Sequence, residues 1–354
     1  MNFKKKSYRE ITGAIHLHTT YSDGGITIKE LINAAKTVGL NFIIVTDHMT
    51  LRGLDEGYEG LTDNLCVLVG YEHHDPHKKN HYLALGVDQV FNPSLKPQSY
   101  INEIKKAGGI GFLAHPAEKR NYFGSLPPYP WTDWEVDGFD GIEIWNQMSD
   151  WVENLKSWMS FVKLFYPRRF LGAPPAELLT KWDTLNKTRF ISAIGGVDAH
   201  SRRLGIGYCC FRVFPIKVEL KGIRTHLYID QKNNFSNFAA TKKAILNGLQ
   251  NGHGFISNFR RGDAMGSCFF LQHKNGHISL PGVQKSYSLP ARLMVEIPEK
   301  GRIILIANGK AINHTDGKTA AFEIEKEGIY RIEVYKKSKA WIYSNPFPIG
   351  CYPF

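Results

Sequence analysis

Apolar side chains recur at helical spacing in several stretches of the chain between residues 27 and 250. The clearest stretch begins at Thr27, which can form a capping box with Glu30. An apolar stripe then continues from Leu31 to Val38, and Gly39 can end the helix. Similar patterns predict further helices at 97–107, 150–165, 175–187 and 238–250.

Short runs of β-branched and other apolar residues separate these helices. They predict strands at 13–18, 41–46, 65–70, 81–86, 109–114, 139–144 and 190–195. Strands that alternate with helices are typical of a parallel sheet with right-handed crossovers. About seven such units suit a closed or nearly closed β/α barrel, so we predict an α/β fold.

The hydrophobic pattern changes near residue 260. From about residue 264 the helical spacing gives way to apolar runs, such as ARLMVEI and IYRIEVY, separated by Gly, Pro, Asn and Asp. This pattern predicts a small antiparallel all-β sandwich. We therefore expect two domains, a barrel over residues 1–260 and a β-sandwich accessory domain over residues 264–354.

Composition narrows the class of protein. The chain has 354 residues, of which 43% are hydrophobic and 22% charged, as in soluble globular proteins. The N-terminal stretch lacks the apolar core of a secretory signal, and no apolar run is long enough to cross a bilayer. The five cysteines are scattered without a C-x-x-C pair, which indicates reduced thiols. We predict a cytoplasmic protein with no membrane partner.

The formal net charge of +11 is typical of a nucleic-acid binder, of an enzyme for anionic substrates, or simply of a basic surface. Lysine and arginine are spread along the chain without dense blocks. We therefore do not expect nucleic acid as the partner.

Metal-ligand side chains accompany the predicted strands. His16 and His18 lie two apart on the first strand, so their side chains share a face. Histidines and carboxylates also lie beside the later strands, at Asp47, His48, Glu72, His73, His74, His81, His115, Glu143, Asp198 and His200. Active sites of parallel barrels gather at the C-terminal ends of the strands, and imidazole and carboxylate suit divalent ions. The pattern therefore predicts a metal centre.

The same residues carry a resemblance to a known family. The motifs His16-x-His18 with Ser22-Asp23-Gly24, Thr46-Asp47-His48, Gly70-x-Glu72, Ala114-His115-Pro116 and Asp198-Ala199-His200-Ser201 resemble those of the PHP (polymerase and histidinol phosphatase) family over about residues 12–260. The stretch Trp341–Pro346 resembles the tail of the CehA/McbA-type branch, which appends a β domain to the barrel. The resemblance implies a distorted (β/α)7 barrel that holds two or three divalent ions.

The resemblance also implies a ligand set. One ion would be held by His16, His18, Glu72 and Asp198, and Glu72 would bridge to a second ion held with His115 and His81. Asp23, His48 and His200 would hold a third.

Four positions leave alternatives. Many trinuclear relatives have histidine where Asp23 stands, and its oxygen favours Mn²⁺ or Fe²⁺, with Zn²⁺ also possible. His81 precedes its apolar run, so it is either a ligand or a surface histidine. Asp47 and Glu143 either fix histidine tautomers or make structural hydrogen bonds.

The implied activity is that of a metal-dependent phosphoesterase, a hydrolase that acts on a small phosphorylated metabolite or nucleotide. Two ions about 3.5–4 Å apart can activate a hydroxide and stabilise phosphoryl charge. Glu72, Asp198 and His200 are then catalytic through the ions. Arg202 would contact the substrate phosphate, unless Arg202 and Arg203 form a solvated loop pair.

Two other functions stay open. The CehA/McbA resemblance keeps hydrolysis of a non-phosphate ester or carbamate in consideration. A non-catalytic barrel that only binds metal or nucleic acid is the third, although the complete ligand set argues against it. The sequence does not indicate an oligomeric state.

Overall fold

A computed structural model describes residues 8–119, 127–154, 170–201, 203–206, 209–212, 214–233, 235–283 and 289–351. Its helices are α1 Ile28–Thr37, α2 Arg52–Asp55, α3 Pro97–Lys106, α4 Gln147–Glu153, α5 Ala176–Leu185, α6 Ile216–Glu219 and α7 Phe238–Gln250. Its strands are β1 Tyr8–Leu17, β2 Phe42–Val45, β3 Gly60–Thr62, β4 Leu65–Val69, β5 Tyr71–His73, β6 Tyr82–Leu85, β7 Ile110–Leu113, β8 Gly141–Asn146, β9 Ser192–Ala199, β10 Arg203–Ile206, β11 Cys209–Arg212, β12 Ile223–Asp230, β13 Gly254–Asn258, β14 Cys268–His273, β15 Ile278–Ser279, β16 Ala291–Ala307, β17 Lys310–Ile324, β18 Gly328–Lys336, β19 Lys339–Ser344 and β20 Phe347–Ile349.

The predicted helices and strands of the N-terminal part form within a few residues of their expected bounds. The capping box of Thr27 and Glu30 is present at the start of α1, whose buried side chains include Leu31 and Ala35. Most of the helix predicted at 150–165 lies outside the described residues. The prediction missed β12 and β13, which pair antiparallel beside β1.

A parallel sheet forms the centre of the fold. The strands β4, β2, β1, β9, β8 and β7 are parallel neighbours in that order. This arrangement confirms the α/β class.

Beyond β7, the sheet departs from the strict alternation of parallel strands and helices. β6 pairs antiparallel with both β7 and β5, and β5 follows β4 directly after Gly70. The connection between β5 and β6 is too short for a crossover helix, so the two strands form a hairpin. A Cβ on Gly70 would lie 2.4 Å from the Ala84 carbonyl oxygen, so only glycine fits where the chain passes from β4 to β5.

The C-terminal strands are antiparallel, and they join the central sheet. β16 pairs with β14, β17 and β18, and β18 pairs in turn with β19 and β20. β19 also pairs with β13. Backbone hydrogen bonds therefore cross the boundary expected near residues 260–264. The division into domains of 1–260 and 264–354 stays a prediction.

Two buried polar links reinforce this junction. The Arg331 guanidinium donates to both carboxylate oxygens of Asp183 on α5, at 2.7 and 2.8 Å, and also contacts Glu333. The side-chain amide of Asn345 hydrogen-bonds both backbone groups of Ala193 on β9, at 2.7 and 3.0 Å. Asn345 thus takes the place of a neighbouring strand at that position.

No described helix combines the length and the apolar composition that crossing a membrane requires.

We predict that Arg331→Met destabilises the protein strongly. The side chains of Arg331 and Asp183 are only 4% and 9% exposed, so the substitution leaves buried carboxylates without their cation. Breaking such a buried pair costs about 3–5 kcal/mol of unfolding free energy, measurable by urea denaturation. The matched control is Arg302→Met, which breaks an exposed pair with Asp316 and should change stability little. Equal small losses in both variants would show that the Arg331 pair contributes nothing.

Candidate metal centre

Three residues of the centre have a backbone conformation that is rare outside glycine. His16, His115 and Asp198 have φ values of 67°, 30° and 54°. At His16 the pairing of β1 with both of its parallel neighbours shifts register. Left-handed backbone at non-glycine residues costs energy and clusters at functional sites. The strain here turns ligand-type side chains toward one point.

Glu72 lies at the centre of the cluster. Its Oε2 is 3.1 Å from His16 Nε2, 3.3 Å from His18 Nε2 and 3.3 Å from His48 Nδ1. Its Oε1 is 2.6 Å from His81 Nδ1 and 3.1 Å from His115 Nε2. One buried carboxylate therefore contacts imidazoles from five separate positions in the chain.

Two further carboxylates complete the cluster. Asp198 Oδ1 lies 3.6 Å from His16 Nε2, 3.4 Å from His18 Nε2 and 3.5 Å from His200 Nδ1. Asp23 Oδ2 lies 3.1 Å from His200 Nε2. The structure thus brings together all the predicted metal-ligand positions, His16, His18, Asp23, His48, Glu72, His81, His115, Asp198 and His200.

The direction of β6 explains the position of His81. Because β6 runs antiparallel to β7, its first residues lie at the same edge as the last residues of the parallel strands. His81, just before β6, therefore reaches Glu72. Its Nε2 lies 3.2 Å from the Lys78 carbonyl oxygen, and the residue is only 6% exposed, so His81 is buried and is not a surface histidine. Its role as a metal ligand stays a prediction.

Glu143 positions two of these histidines. Its Oε1 lies 2.9 Å from His16 Nδ1, and its Oε2 accepts from the His115 backbone N–H at 2.7 Å and from Asn146 at 2.9 Å. A Cβ on Gly196 would lie 1.5 Å from the same Oε1, so this glycine makes room for the carboxylate. Glu143 therefore holds His16 with Nε2 facing the cluster.

Asp47 acts differently. Its carboxylate accepts hydrogen bonds from the backbone N–H and the hydroxyl of Thr19, both at 2.7 Å, and from the Ser22 hydroxyl at 2.6 Å. These bonds shape the loop that carries Asp23. The structural alternative applies to Asp47, which makes none of these bonds to a histidine.

The other candidate residues lie away from the cluster, at its margin or outside the described residues. His73 points away from the cluster and packs against the Tyr100 ring at 4.2 Å between centroids. The His74 ring lies 6.0 Å from that of His81, at the margin of the cluster. Arg202 lies outside the described residues, as does the side chain of Arg203.

Sequence reasoning missed Tyr129 and Asn146. The Tyr129 ring stacks on His81 with centroids 5.1 Å apart and planes inclined by 19°. Asn146 caps α4 through Ser149 while its amide donates to Glu143. The Asn146 side chain follows the strand that carries Glu143, which is the signal that could have identified it.

Electrostatics keep the central carboxylates charged. Burial would raise the pKa of Glu72, but His16 and the neighbouring imidazoles lower it well below its usual range. Burial opposes ionisation of Asp198 too, and His16, followed by His18, again lowers the pKa well below normal. Both groups are anionic at neutral pH.

The pKa values of the histidines shift in opposite directions. Burial disfavours the charged form of His18, but the carboxylates of Asp198 and Glu72 raise its pKa to about 9. His115 reaches about 9 as well, because Glu118 and Glu72 outweigh its burial. Burial lowers the pKa of His48 to about 3. The buried carboxylates are thus stabilised by nearby positive charge, which either protons or metal ions can supply.

The donor atoms fit divalent metal ions. Four sets of ligand atoms lie within 4.8 Å of one another, namely His18/Asp23/His48/His200, His16/His18/Glu72, His16/His115/Asp198 and His48/Glu72/His81. Within the described part of the chain, the Nδ1 atoms of buried His18 and His115 have no hydrogen-bond partner. His18 Nε2 and His48 Nδ1 lie near the Glu72 carboxylate but without the geometry of a hydrogen bond. Buried polar atoms normally have partners, so these nitrogens indicate a ligand that the chain itself does not supply.

The grouping differs from the implied ligand sets at three histidines. His115 groups with His16 and Asp198. His18 joins Asp23, His48 and His200, and His48 rather than His115 groups with Glu72 and His81.

A small cavity of about 40 Å³ adjoins His115. Its lining includes the carboxylates of Glu118, Glu143, Asp150 and Glu153. Burial raises the pKa of Asp150 to about 6. The cavity is therefore acidic, although the chain as a whole is basic.

The N-terminal part of the chain is similar to a known protein family. Residues 14–108 match the family model of the PHP domain. The match includes the segment from His16 to His81 and ends before His115, Asp198 and His200, which only the structure adds. A search of curated proteins finds no significant match.

Similar solved structures are distant. A two-domain protein from Bacteroides vulgatus containing a predicted PHP-like metal-dependent phosphoesterase is 13% identical, with 96% of each chain covered and a TM-score of 0.47. PsfC from Pseudomonas syringae is 13% identical over 68% of this chain and 90% of its own, with a TM-score of 0.43. An amidohydrolase from Chromobacterium violaceum is 16% identical over 58% of this chain and 92% of its own, with a TM-score of 0.34. These similarities are too distant to transfer an activity.

We predict that the purified protein binds about two or more divalent ions per chain and that Glu72→Gln binds fewer. The amide keeps the size of the side chain but removes the charge that five imidazoles surround. Elemental analysis after loading with Mn²⁺ or Zn²⁺ measures the content. His314→Gln, at an exposed position on β17, is the control and should match the parent protein. Full metal content in Glu72→Gln would remove Glu72 from the centre.

We also predict that metal ions stabilise the protein more at pH 9 than at pH 6.5. In chelated protein, protonated His18 and His115 compensate the carboxylates, and their pKa values are raised from 6.5 to about 9. That contribution is complete below pH 6.5 and is lost as pH rises through about 9. Calorimetry with and without chelator should show a larger Tm difference at the higher pH. A constant difference would contradict this account of the charges.

Proposed function

We propose that the protein is a metal-dependent phosphoesterase that hydrolyses a small phosphorylated metabolite or nucleotide. The observation that carries the proposal is the buried Glu72 carboxylate in contact with five imidazoles. The PHP domain match over residues 14–108 supports the same class of hydrolase.

The proposed ligand set is the one that the family resemblance implies. His16, His18, Glu72 and Asp198 would hold one ion, Glu72 with His81 and His115 a second, and Asp23, His48 and His200 a third. The ions, two or three of Mn²⁺, Fe²⁺ or Zn²⁺, would supply a nucleophile at neutral pH and stabilise charge on the substrate oxygens.

Exposure indicates the side from which substrate enters. The side chains of His16 and His18 are fully buried, whereas those of Asp23 and His48 are 38% and 27% exposed. Substrate therefore approaches past Asp23 and His48. Glu143 contributes from the buried side by orienting His16, and Arg202 would contact a substrate phosphate.

A second candidate function is hydrolysis of a carboxyl ester or carbamate. The acidic lining of the cavity beside His115 favours it, because Glu118, Asp150 and Glu153 would repel an anionic group placed there. A neutral substrate or one with a cationic leaving group would not meet that repulsion.

The finer architecture belongs to the same proposal. The strands from β1 to β9 would form a distorted (β/α)7 barrel, followed by a β-sandwich of the CehA/McbA type over 264–354. We further propose a cytoplasmic location. Limited proteolysis that releases a stable fragment ending near residue 262 would support the domain division, and uniform digestion would contradict it.

We predict that metal-loaded protein cleaves p-nitrophenyl phosphate or bis(p-nitrophenyl) phosphate with higher kcat/KM than p-nitrophenyl acetate or a p-nitrophenyl carbamate. Charged phosphoryl oxygens match clustered divalent ions better than a neutral carbonyl does. A higher kcat/KM for the acetate or the carbamate would establish the second candidate instead.

In the same assay, Glu143→Gln should lower kcat about 10–100-fold, as expected when a metal-ligating histidine loses its orienting carboxylate. Glu323→Gln, which changes an exposed carboxylate on β17, is the control and should leave kcat unchanged. An unchanged kcat in Glu143→Gln would show that His16 needs no orientation by this residue.

A further inference from the structure

A second cavity lies at the edge of the sheet opposite the candidate metal centre. Its volume is about 400 Å³, within the range of about 300–1,000 Å³ that is usual for small-molecule sites. Leu85 at the end of β6 and Ile110 at the start of β7 line it. His81 and His115 lie at the other ends of these two strands, so the cavity is separate from the cluster.

One face of α7 forms a wall of this cavity. The lining residues Ala239, Lys242, Lys243, Leu246, Asn247 and Gln250 recur at intervals of three and four. This spacing places them along a single helical stripe. A different stripe of α7, which includes Ile245 and Leu249, packs into the core. The wall of the cavity is therefore a second face of the same helix, which no other described residue covers.

The floor of the cavity is apolar. Leu85 and Ile110 are 1% and 6% exposed, and the half-buried side chains of Phe238 and Leu246 continue the apolar surface. Gly108 also lines it, and a Cβ there would meet no atom within 4 Å. Open space therefore lies beside the backbone of Gly108.

The rim of the cavity is cationic. Lys242 pairs with Glu59. Lys243 is exposed and makes no ion pair within the described part of the chain. Among the described residues, no carboxylate belongs to the lining, and the other polar side chains there are the amides of Asn247 and Gln250. The Gln250 amide already donates to Asp140.

We propose that this cavity binds an anionic amphiphile, a small molecule with a carboxylate or phosphate head and an apolar body. The apolar body would cover Leu85, Ile110 and Leu246, and the head would lie against Lys243. Burial of the apolar body drives binding, and the positive rim selects an anionic head over a neutral one. The proposal does not depend on the activity of the metal centre.

The test uses decanoate as the probe, with metal-loaded full-length protein and isothermal titration calorimetry. We expect one saturable site per chain, a loss of detectable binding in Ala239→Trp, which fills the cavity from an exposed helix position, and about tenfold weaker binding in Lys243→Glu. Lys310→Glu, an exposed lysine on β17, is the matched control and should bind like the parent protein. Asn247→Trp replaces Ala239→Trp if that variant does not fold.

Decyl phosphate and decyl maltoside complete the comparison. Binding of either anionic probe identifies the preferred head group and supports the proposal. Equal affinity for the neutral maltoside would overturn the role of Lys243. Decanoate binding that survives both tryptophan variants, or that disappears only on chelation, would place the probe at the metal centre and overturn the proposal.

Discussion

The buried carboxylate of Glu72 is the constraint on which the centre depends. A lone carboxylate in a protein interior is expensive, and it persists only where positive charge or hydrogen-bond donors surround it. Here the compensation comes from imidazoles between His16 and His115, which are delivered by β1, β2, β6 and β7. The same charge balance joins distant parts of the chain, and it explains why strained backbone at His16 and His115 is retained.

The scaffold meets this constraint by mixing strand directions. Parallel strands carry their C-terminal residues to one edge, and the β5–β6 hairpin returns the chain so that the start of β6 reaches that edge as well. Residues outside the cluster support it by leaving room for its neighbours or by shaping its loops. Gly196 has no side chain at the point where the Glu143 carboxylate lies. Asp47 shapes the loop that carries Asp23 by accepting a hydrogen bond from the Thr19 backbone N–H.

Much of the candidate site could be predicted from the sequence because its residues are ordinary metal-binding side chains at the ends of apolar runs. The α/β class and most N-terminal elements follow from the same periodicity. The position of His81 could not be decided, since it depends on the direction of β6 and not on local pattern. Glu143 and Asp47 could not be distinguished, because hydrogen-bond partners 28 or 127 residues away are set only by tertiary packing. The junction of β13 with β19 escaped for the same reason: a change in hydrophobic pattern indicates new elements and says nothing about which older strand they join.

The side-chain amide of Asn345 has a consequence for how the protein is made. It completes the hydrogen bonds of Ala193 across 152 residues of chain, and Ala193 lies on the strand that leads to Asp198. A ribosome delivers the chain from its N-terminus at about 5–20 residues per second, so β9 emerges well before the residue that finishes its edge. During synthesis the half-built sheet would expose an open strand edge, a surface prone to aggregation, until the late segment arrives. The strand that carries Asp198 therefore acquires its last edge hydrogen bonds only after the C-terminal strands have been translated.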